Sequence, residues 1–507
     1  MRRKVKEKII NMLETMFEAH TDIKMMFEHG KYDNAYILLE DCQNAAINIG
    51  TCIEEAEGEG FVSVGYLEKY CEVLYDIAEN NDNMNPAAIK EMLDAKLNEA
   101  RVSIQEQVRA KWEIVFCPYK VSMWDSLESI WMAASMDDEA EAYVVPIPYY
   151  DRKQDRTIGE FHYEGDKFPS YVPVTHYEKY NFSSRMPDAI FIHNPYDGGN
   201  TVTTVDGRFY SDELKKYTDC LAYVPYFIFP KEPATHLIDT CALRNVDYVA
   251  VQNNKTKEAY EEIIKSPNFH GTHPDIYATG SPKIDKMVNI CKNGISIPDQ
   301  WKTLSSGKKK VFMNTNVSLI LNNNDRFVEN ISRIFKIFEN LGDIFVIWRE
   351  HPLTYATLKS MRPGIIEQYE NLKKDFIEKG LGVFDTHKEA YEAMYFSDCY
   401  FGSGGSLVPI YAVTGKPMLV TAYKYPDNII SKKTELSVML KQADKSIYFS
   451  ERYENFIELF LKNIDVLMTY KQQRYAQLSE IVVNIEGTAG EKIFRQVKGK
   501  LKNEYSR

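Results

Sequence analysis

Hydrophobic positions along the chain change their period at about residue 112. Up to about Lys111 they recur at helical spacing, as in Ile9, Leu13 and Phe17, then Met25 and Phe27, then Tyr36, Leu38 and Leu39. Breaks fall at His29-Gly30, at residues 57–60 and from Asn80 to Pro86. This spacing predicts an all-helical module of three or four helices, whose short polar turns suit a structural or oligomerisation role. From Trp112 the apolar residues gather instead into short β-branched and aromatic runs, at 113–118, 142–147, 189–193, 221–227, 247–251 and 276–279, with helical patterns between most of them. After the polar break at 305–309 a second series follows: 310–314, 344–348, 382–384, 399–401 and a strand opening at Met418. Helices are predicted there at about 327–341, 365–379, 388–396 and 408–414, and the chain closes with amphipathic stretches from Arg452 to about Lys502. Strands alternating with helices call for mostly parallel sheets covered on both faces. The predicted fold class is therefore α/β: a helical module at 1–111, a first α/β domain at 112–297 and a second at 298–507, with a cleft between the two α/β domains. The tyrosine-rich segment 149–180 reads as a long loop over the first sheet's edge.

Composition narrows the classes of partner. The 507 residues, 44% hydrophobic and 26% charged, suit a soluble chain with length for two or three domains. The formal net charge of -12 argues against a nucleic-acid-binding body. Eight cysteines are scattered without metal-ligand spacing, as expected of buried thiols in a reducing cytoplasm. No apolar run has the length of a membrane span, and no signal-peptide core follows the first residues, so the expected location is cytoplasmic. The basic start, Arg2, Arg3, Lys4, Lys6 and Lys8, is the feature suited to peripheral contact with an anionic inner membrane face.

Parallel sheets bind ligands beyond the carboxyl ends of their strands, so the loops after strands carry the candidate chemistry. In the first series His193 ends a buried strand and Asp197 follows four residues later, the pattern of a general base with an orienting carboxylate. The competing reading is a histidine merely hydrogen-bonded at a sheet edge. Lys120, Ser122 and Tyr226 are further cleft candidates, joined by Asn314 from the second series. In that series residues 398–420 read as strand, Gly/Ser turn, helix with Pro409 in its first turn, and strand. Gly402, Gly404 and Gly405 allow close backbone approach, while Ser403 and Ser406 add hydroxyls where exposed amides already favour a phosphate or pyrophosphate. Arg349 and His351 follow another strand of the same series, with Pro352 biasing His351 to an extended conformation. No Asp-x-Asp cluster sits at a strand end, so a metal is not demanded.

Three stretches occur in an order that resembles the CDP-glycerol glycerophosphotransferase family, the teichoic acid polymerase-like enzymes: Thr279-Gly-Ser-Pro-Lys-Ile-Asp285, Arg349-Glu-His-Pro352, and residues 398–420. The resemblance covers roughly Glu113 to the C-terminus and leaves out the helical segment. It implies a GT-B architecture of two Rossmann-like domains around a cleft. The activity it implies is transfer of glycerol- or ribitol-phosphate from a CDP-activated donor, a substrate and not a cofactor, to a glycan or lipid-linked acceptor hydroxyl in cell-wall synthesis. It also implies that His351, Ser403 and Ser406 hold the donor pyrophosphate; the residues themselves add Arg349, Gly404 and Gly405 to that site, and place His351 in catalysis through the charge that grows on the departing nucleoside monophosphate. Two departures stand out. Ser403-Gly-Gly-Ser406 replaces the family's Asp-Tyr-Ser-Ser and is similar to the Gly-Gly turn of UDP-sugar epimerases and glycosyltransferases. The family's Trp-His-Gly motif has no counterpart, so either the base has moved, with His193 the first candidate, or the acceptor chemistry differs. A UDP-sugar glycosyltransferase or epimerase, and a non-catalytic scaffold using the helical module, remain the alternative readings.

Overall fold

The computed structural model describes residues 1–80, 84–153, 155–200, 202–229, 233, 235–317, 320, 326–421, 447–450 and 454–505. Its contacts divide the chain into two compact units. One comprises residues 1–115, 134–143 and 181–189; the other comprises 116–133, 144–180 and 190–507.

The first unit contains the predicted helical module, realised as four helices: α1 (Arg3–Glu28), α2 (Tyr32–Glu57), α3 (Val62–Asn80) and α4 (Pro86–Gln107). Pro86 opens α4 in the first turn, where its missing N–H costs nothing, and the Asn85 side chain caps it by accepting from the Ala87 amide. Leu13, Ile53, Tyr70 and Leu97 are sealed in the apolar interior of the bundle. A polar thread runs through that interior. The His20 Nδ1–H donates to Asp94 at 2.8 Å, and the Tyr70 hydroxyl, beside the Cys42 thiol, donates to His20 Nε2 at 2.7 Å. Burial holds the His20 pKa below its ordinary value, against the pull of Asp94. The basic start is engaged within this unit: Arg2 pairs with Glu113 at 3.1 Å, Arg3 donates to Asp188 at 2.7 Å, and Lys6 donates to the Gln105 and Val108 carbonyls.

The strands are β1 (Trp112–Cys117), β2 (Ala140–Val144), β3 (Tyr149–Arg152), β4 (Ile158–His162), β5 (Ala189–Ile192), β6 (Thr203–Val205), β7 (Cys220–Tyr223), β8 (Tyr248–Val251), β9 (Asp275–Ala278), β10 (Lys309–Thr315), β11 (Ile344–Glu350), β12 (Gly382–Phe384), β13 (Cys399–Gly402), β14 (Met418–Thr421) and β15 (Ile447–Ser450). They form two separate six-stranded sheets, β2-β1-β5-β7-β8-β9 and β12-β11-β10-β13-β14-β15; the two hydrophobic series predict all of these strands except β15. The second sheet is parallel throughout, and its order, counted along its own strands, is 3-2-1-4-5-6. That is the doubly wound Rossmann order, in which the winding direction reverses between β10 and β13. The segment read as a long loop differs: β4-β3-β6 form a small antiparallel sheet. Most of β4 faces solvent, so no apolar alternation marked it in the sequence.

The closing helices, Glu454–Lys462, Ile464–Met468, Lys471–Ile481 and Ala489–Tyr505, reach both sheets. Arg474 donates to the Gly415 carbonyl at 2.8 Å in the second half, while the Tyr248 hydroxyl of the first sheet donates to Gln496 at 2.7 Å. Among the described residues no helix is long and apolar enough to cross a membrane.

Candidate functional site

At the reversal point Asn314 of β10 lies in register with Gly402 of β13 on one side and Arg349 of β11 on the other. Beyond this row the three strands end, and a cavity of about 480 Å³ opens at their carboxyl edge. Its walls include Asn314, Asn316, His351, Gly404, Gly405 and Ser406 from the second sheet. The first sheet's loops contribute Ser122, Asp125 and Tyr226, and the helix Pro282–Asn293 contributes Lys283.

The loop after β13 is fixed from β10. Asn316 donates its backbone N–H to Ser403 Oγ at 3.2 Å and its side-chain amide to the Gly404 carbonyl at 3.0 Å. Ser403, expected to face the donor, is buried by these contacts and is not part of the cavity wall. Gly402 serves packing: a Cβ there would lie 2.4 Å from the Asn314 carbonyl oxygen, so the neighbouring strand and not a ligand demands glycine. Gly405 is the opposite case, with nothing within 4 Å of an added Cβ, and it borders the open cavity beside the exposed Ser406.

His351 leaves β11 with its N–H bonded to the Thr315 carbonyl at 2.9 Å, and its Nδ1 accepts the Leu353 amide at 3.1 Å. A backbone amide can only donate, so the neutral ring carries its proton on Nε2. Desolvation lowers its pKa below the ordinary histidine value, which favours that neutral form. The residue thus offers the cavity a donor N–H and no basic nitrogen. Arg349 also lines the cavity, but its guanidinium is committed to the 385–389 segment: Nη1 donates to Asp385 at 2.7 Å and to the Glu389 carbonyl at 3.1 Å, and Nη2 to the Lys388 carbonyl at 3.1 Å. The expected phosphate ligand is instead a brace, its charge balanced by Asp385.

The pair proposed for proton abstraction is not assembled. His193 is fully buried and forms no part of the cavity wall. Its Nε2 accepts the Tyr119 amide at 3.2 Å, while Nδ1–H faces Ser126 Oγ at 3.0 Å and the Met123 carbonyl at 3.3 Å. Burial drives its pKa down to about 3, against the pull of the Met123 carbonyl. With both nitrogens occupied, His193 pins residues 119–126 and cannot act as the base. Asp197 sits at φ 47° in the next turn and accepts the Ser211 amide at 3.0 Å and hydroxyl at 2.6 Å, with burial raising its pKa to about 6. Lys120 lies over the Tyr149 ring at 4.8 Å, away from the cavity lining.

A buried ionic cluster beside the cavity went unread in the sequence. Lys283 donates to Asp125 Oδ1 at 2.5 Å, and the Tyr391 hydroxyl donates to Asp125 Oδ2 at 2.7 Å. One turn further along the same helix, Lys286 bridges Glu389 at 2.8 Å and Glu128 at 3.1 Å. Burial opposes the Lys286 charge, yet Glu128, Glu389 and Asp125 together hold its pKa above the usual lysine value. Lys283 within the 279–285 stretch and Lys286 just after it, one helical turn apart, were the available signal. Among the described residues a group with metal-ligand spacing, Asp151, Glu160 and His162, lies on the β3–β4 pair and not in the cavity wall.

No family model matches the chain, and no curated protein matches its sequence. Solved structures similar to it include a protein assigned as a UDP-N-acetylglucosamine 2-epimerase from Listeria monocytogenes, at 13% identity and TM-score 0.48 over 78% of this chain and 97% of that one. The S. aureus MnaA–UDP complex matches at 13% identity and TM-score 0.45, over 77% and 97%. The wall teichoic acid polymerase TagF matches at 11% identity and TM-score 0.43, over 88% and 99%. Likeness this slight bears on neither activity nor residue roles, which rest on the chain's own geometry.

Proposed function

We propose that this chain is a transferase that binds a nucleotide-activated donor in the cavity at the β10–β13 reversal, with the diphosphate held by Gly404, Gly405, Ser406 and His351. The observation that carries the reading is convergence: two separate strand ends deliver a neutral Nε2–H, an exposed hydroxyl and an unobstructed glycine to one cavity. As the bond to the departing nucleoside monophosphate breaks, negative charge grows on its oxygens, and fixed N–H and O–H donors stabilise that charge without reorganising. The acceptor hydroxyl enters from the side of Ser122, Asp125 and Tyr226. Phosphoryl transfer passes through a loose transition state with little bonding to the acceptor, so a weak base suffices; Asp125 lines the cavity and each of its oxygens keeps a second lone pair beside its bond to Lys283 or Tyr391, so it takes the role that His193 cannot fill. Lys283 and Tyr391 orient that carboxylate.

The motif resemblance favours CDP-glycerol or CDP-ribitol as donor. A UDP-sugar is the second reading, favoured by the Gly404-Gly405 turn. Calorimetric titration with CDP-glycerol and with a UDP-sugar tests both: the proposal requires one of them to bind and Ser406→Ala to weaken it, and binding unaffected by Ser406→Ala places the phosphates elsewhere.

A further inference from the structure

The helices α2 and α3 carry acids almost exclusively: six on α2 and four on α3, against Lys69 alone. Between them runs a groove of about 900 Å³ with Ala46, Gly50, Val64 and Leu67 along its floor. Ala46 and Gly50 lie one turn apart and are too small to fill the space opposite α3; a Cβ at Gly50 would only just reach Val64 and Leu67, at 3.7 and 4.0 Å. Two large apolar side chains of the groove, Ile47 and Tyr75, are 54% and 60% exposed. Along the α3 rim Glu68, Glu72 and Asp76 recur every fourth residue, all exposed, and among the described residues no salt bridge reaches them. Glu54 marks the α2 side.

We infer that this groove docks a basic amphipathic helix of a partner protein. An apolar floor rewards an apolar stripe, and the carboxylate row beside it rewards Lys or Arg flanking that stripe. A helix seated between two others matches ridges to grooves over several turns. A second copy of this chain is a poor occupant, because a two-fold contact through the same patch sets acid against acid. Anionic lipid and nucleic acid are repelled for the same reason.

The test uses the full chain and a fluorescein-labelled peptide of about 18 residues, five turns of helix, with leucine on one face and lysine on the other. Its scrambled isomer, with the same charge and no apolar face, is the control. Anisotropy titrations should show the patterned peptide binding at least about tenfold more tightly than the scrambled one, and more weakly as salt rises to about 0.3 M. Glu68→Lys, Glu72→Lys and Asp76→Lys combined should weaken it about tenfold or more, and Ile47→Ser with Tyr75→Ser should also weaken it. The same charge change made with Asp299→Lys, Glu370→Lys and Asp465→Lys should leave it within about twofold. The inference falls if the groove reversal binds as the wild type does, or if the distant reversal weakens binding equally. It falls also if sedimentation reveals a dimer that the groove reversal abolishes, which would make a second copy the occupant.

Discussion

His193 and His351 each follow a buried strand at the carboxyl edge of a sheet, and each has a proline within two residues, yet their imidazoles meet opposite fates. The amide that binds His193 comes from Tyr119, 74 residues earlier, and the loop it belongs to closes over the ring. The amide that binds His351 comes from Leu353, two residues later, and leaves the rest of the ring to the cavity. A strand end only brings an imidazole to the right edge; where its bound nitrogen finds a donor decides whether the ring holds the chain together or meets a ligand.

The largest effect should come from His193→Ala. It leaves the buried Tyr119 amide without an acceptor and opens a void, at a cost of about 3–5 kcal/mol, readable by chemical denaturation. A loss below about 1 kcal/mol would break the contrast, since the ring would then not be a pin. Acid should expose the same difference. The folded-state pKa of His193 lies near 3, below the unfolded value of about 6.5, so its contribution is present above about pH 6.5 and is lost as pH falls toward 3. The slope approaches about 1.4 kcal/mol per pH unit in that window, and stability curves at pH 6 and pH 5 should run flatter in His193→Gln than in the wild type. On the other strand end, His351→Ala should weaken CDP-glycerol binding by about 1.5–3 kcal/mol, the range for hydrogen bonds to charged groups, with an unchanged melting temperature. Calorimetry that finds equal affinities would place His351 with His193 among the structural residues. The smallest effect on stability should be Gly405→Ala, within about 0.5 kcal/mol, because its Cβ meets no protein atom. A measurable fall in donor affinity from that same methyl would mark the cavity as occupied there.

Much of this was legible in residues. The β13 run and its Gly/Ser turn, and β11 running into His351-Pro352, were readable because buried parallel strands are short continuous apolar runs and their ends are punctuated. Ser122, Tyr226 and Asn314, singled out from the loops after strands, line the cavity. The failures share one physical origin, which is that they depend on partners distant in sequence. Nothing near Ser403 announced that the Asn316 amide would claim its hydroxyl, and nothing near Arg349 announced Asp385. Nothing near Asp125 announced Lys283 and Tyr391, which lie 158 and 266 residues further on. The strand β15 is only four residues long, Ile447–Ser450, too short an apolar run to stand out from the sequence around it.

The thread from Asp94 through His20 to Tyr70, with Cys42 beside it, takes one residue from each helix of the amino-terminal bundle. Four amphipathic rods glued by apolar side chains alone can be wound in more than one order at similar energy. The observed winding closes this chain of hydrogen bonds, and a winding that separated its members would strand an imidazole and a phenol in a dry interior at about 1–3 kcal/mol for each orphaned group. The bundle therefore proofreads its own assembly, and each correctly wound copy sets the acidic helices α2 and α3 side by side.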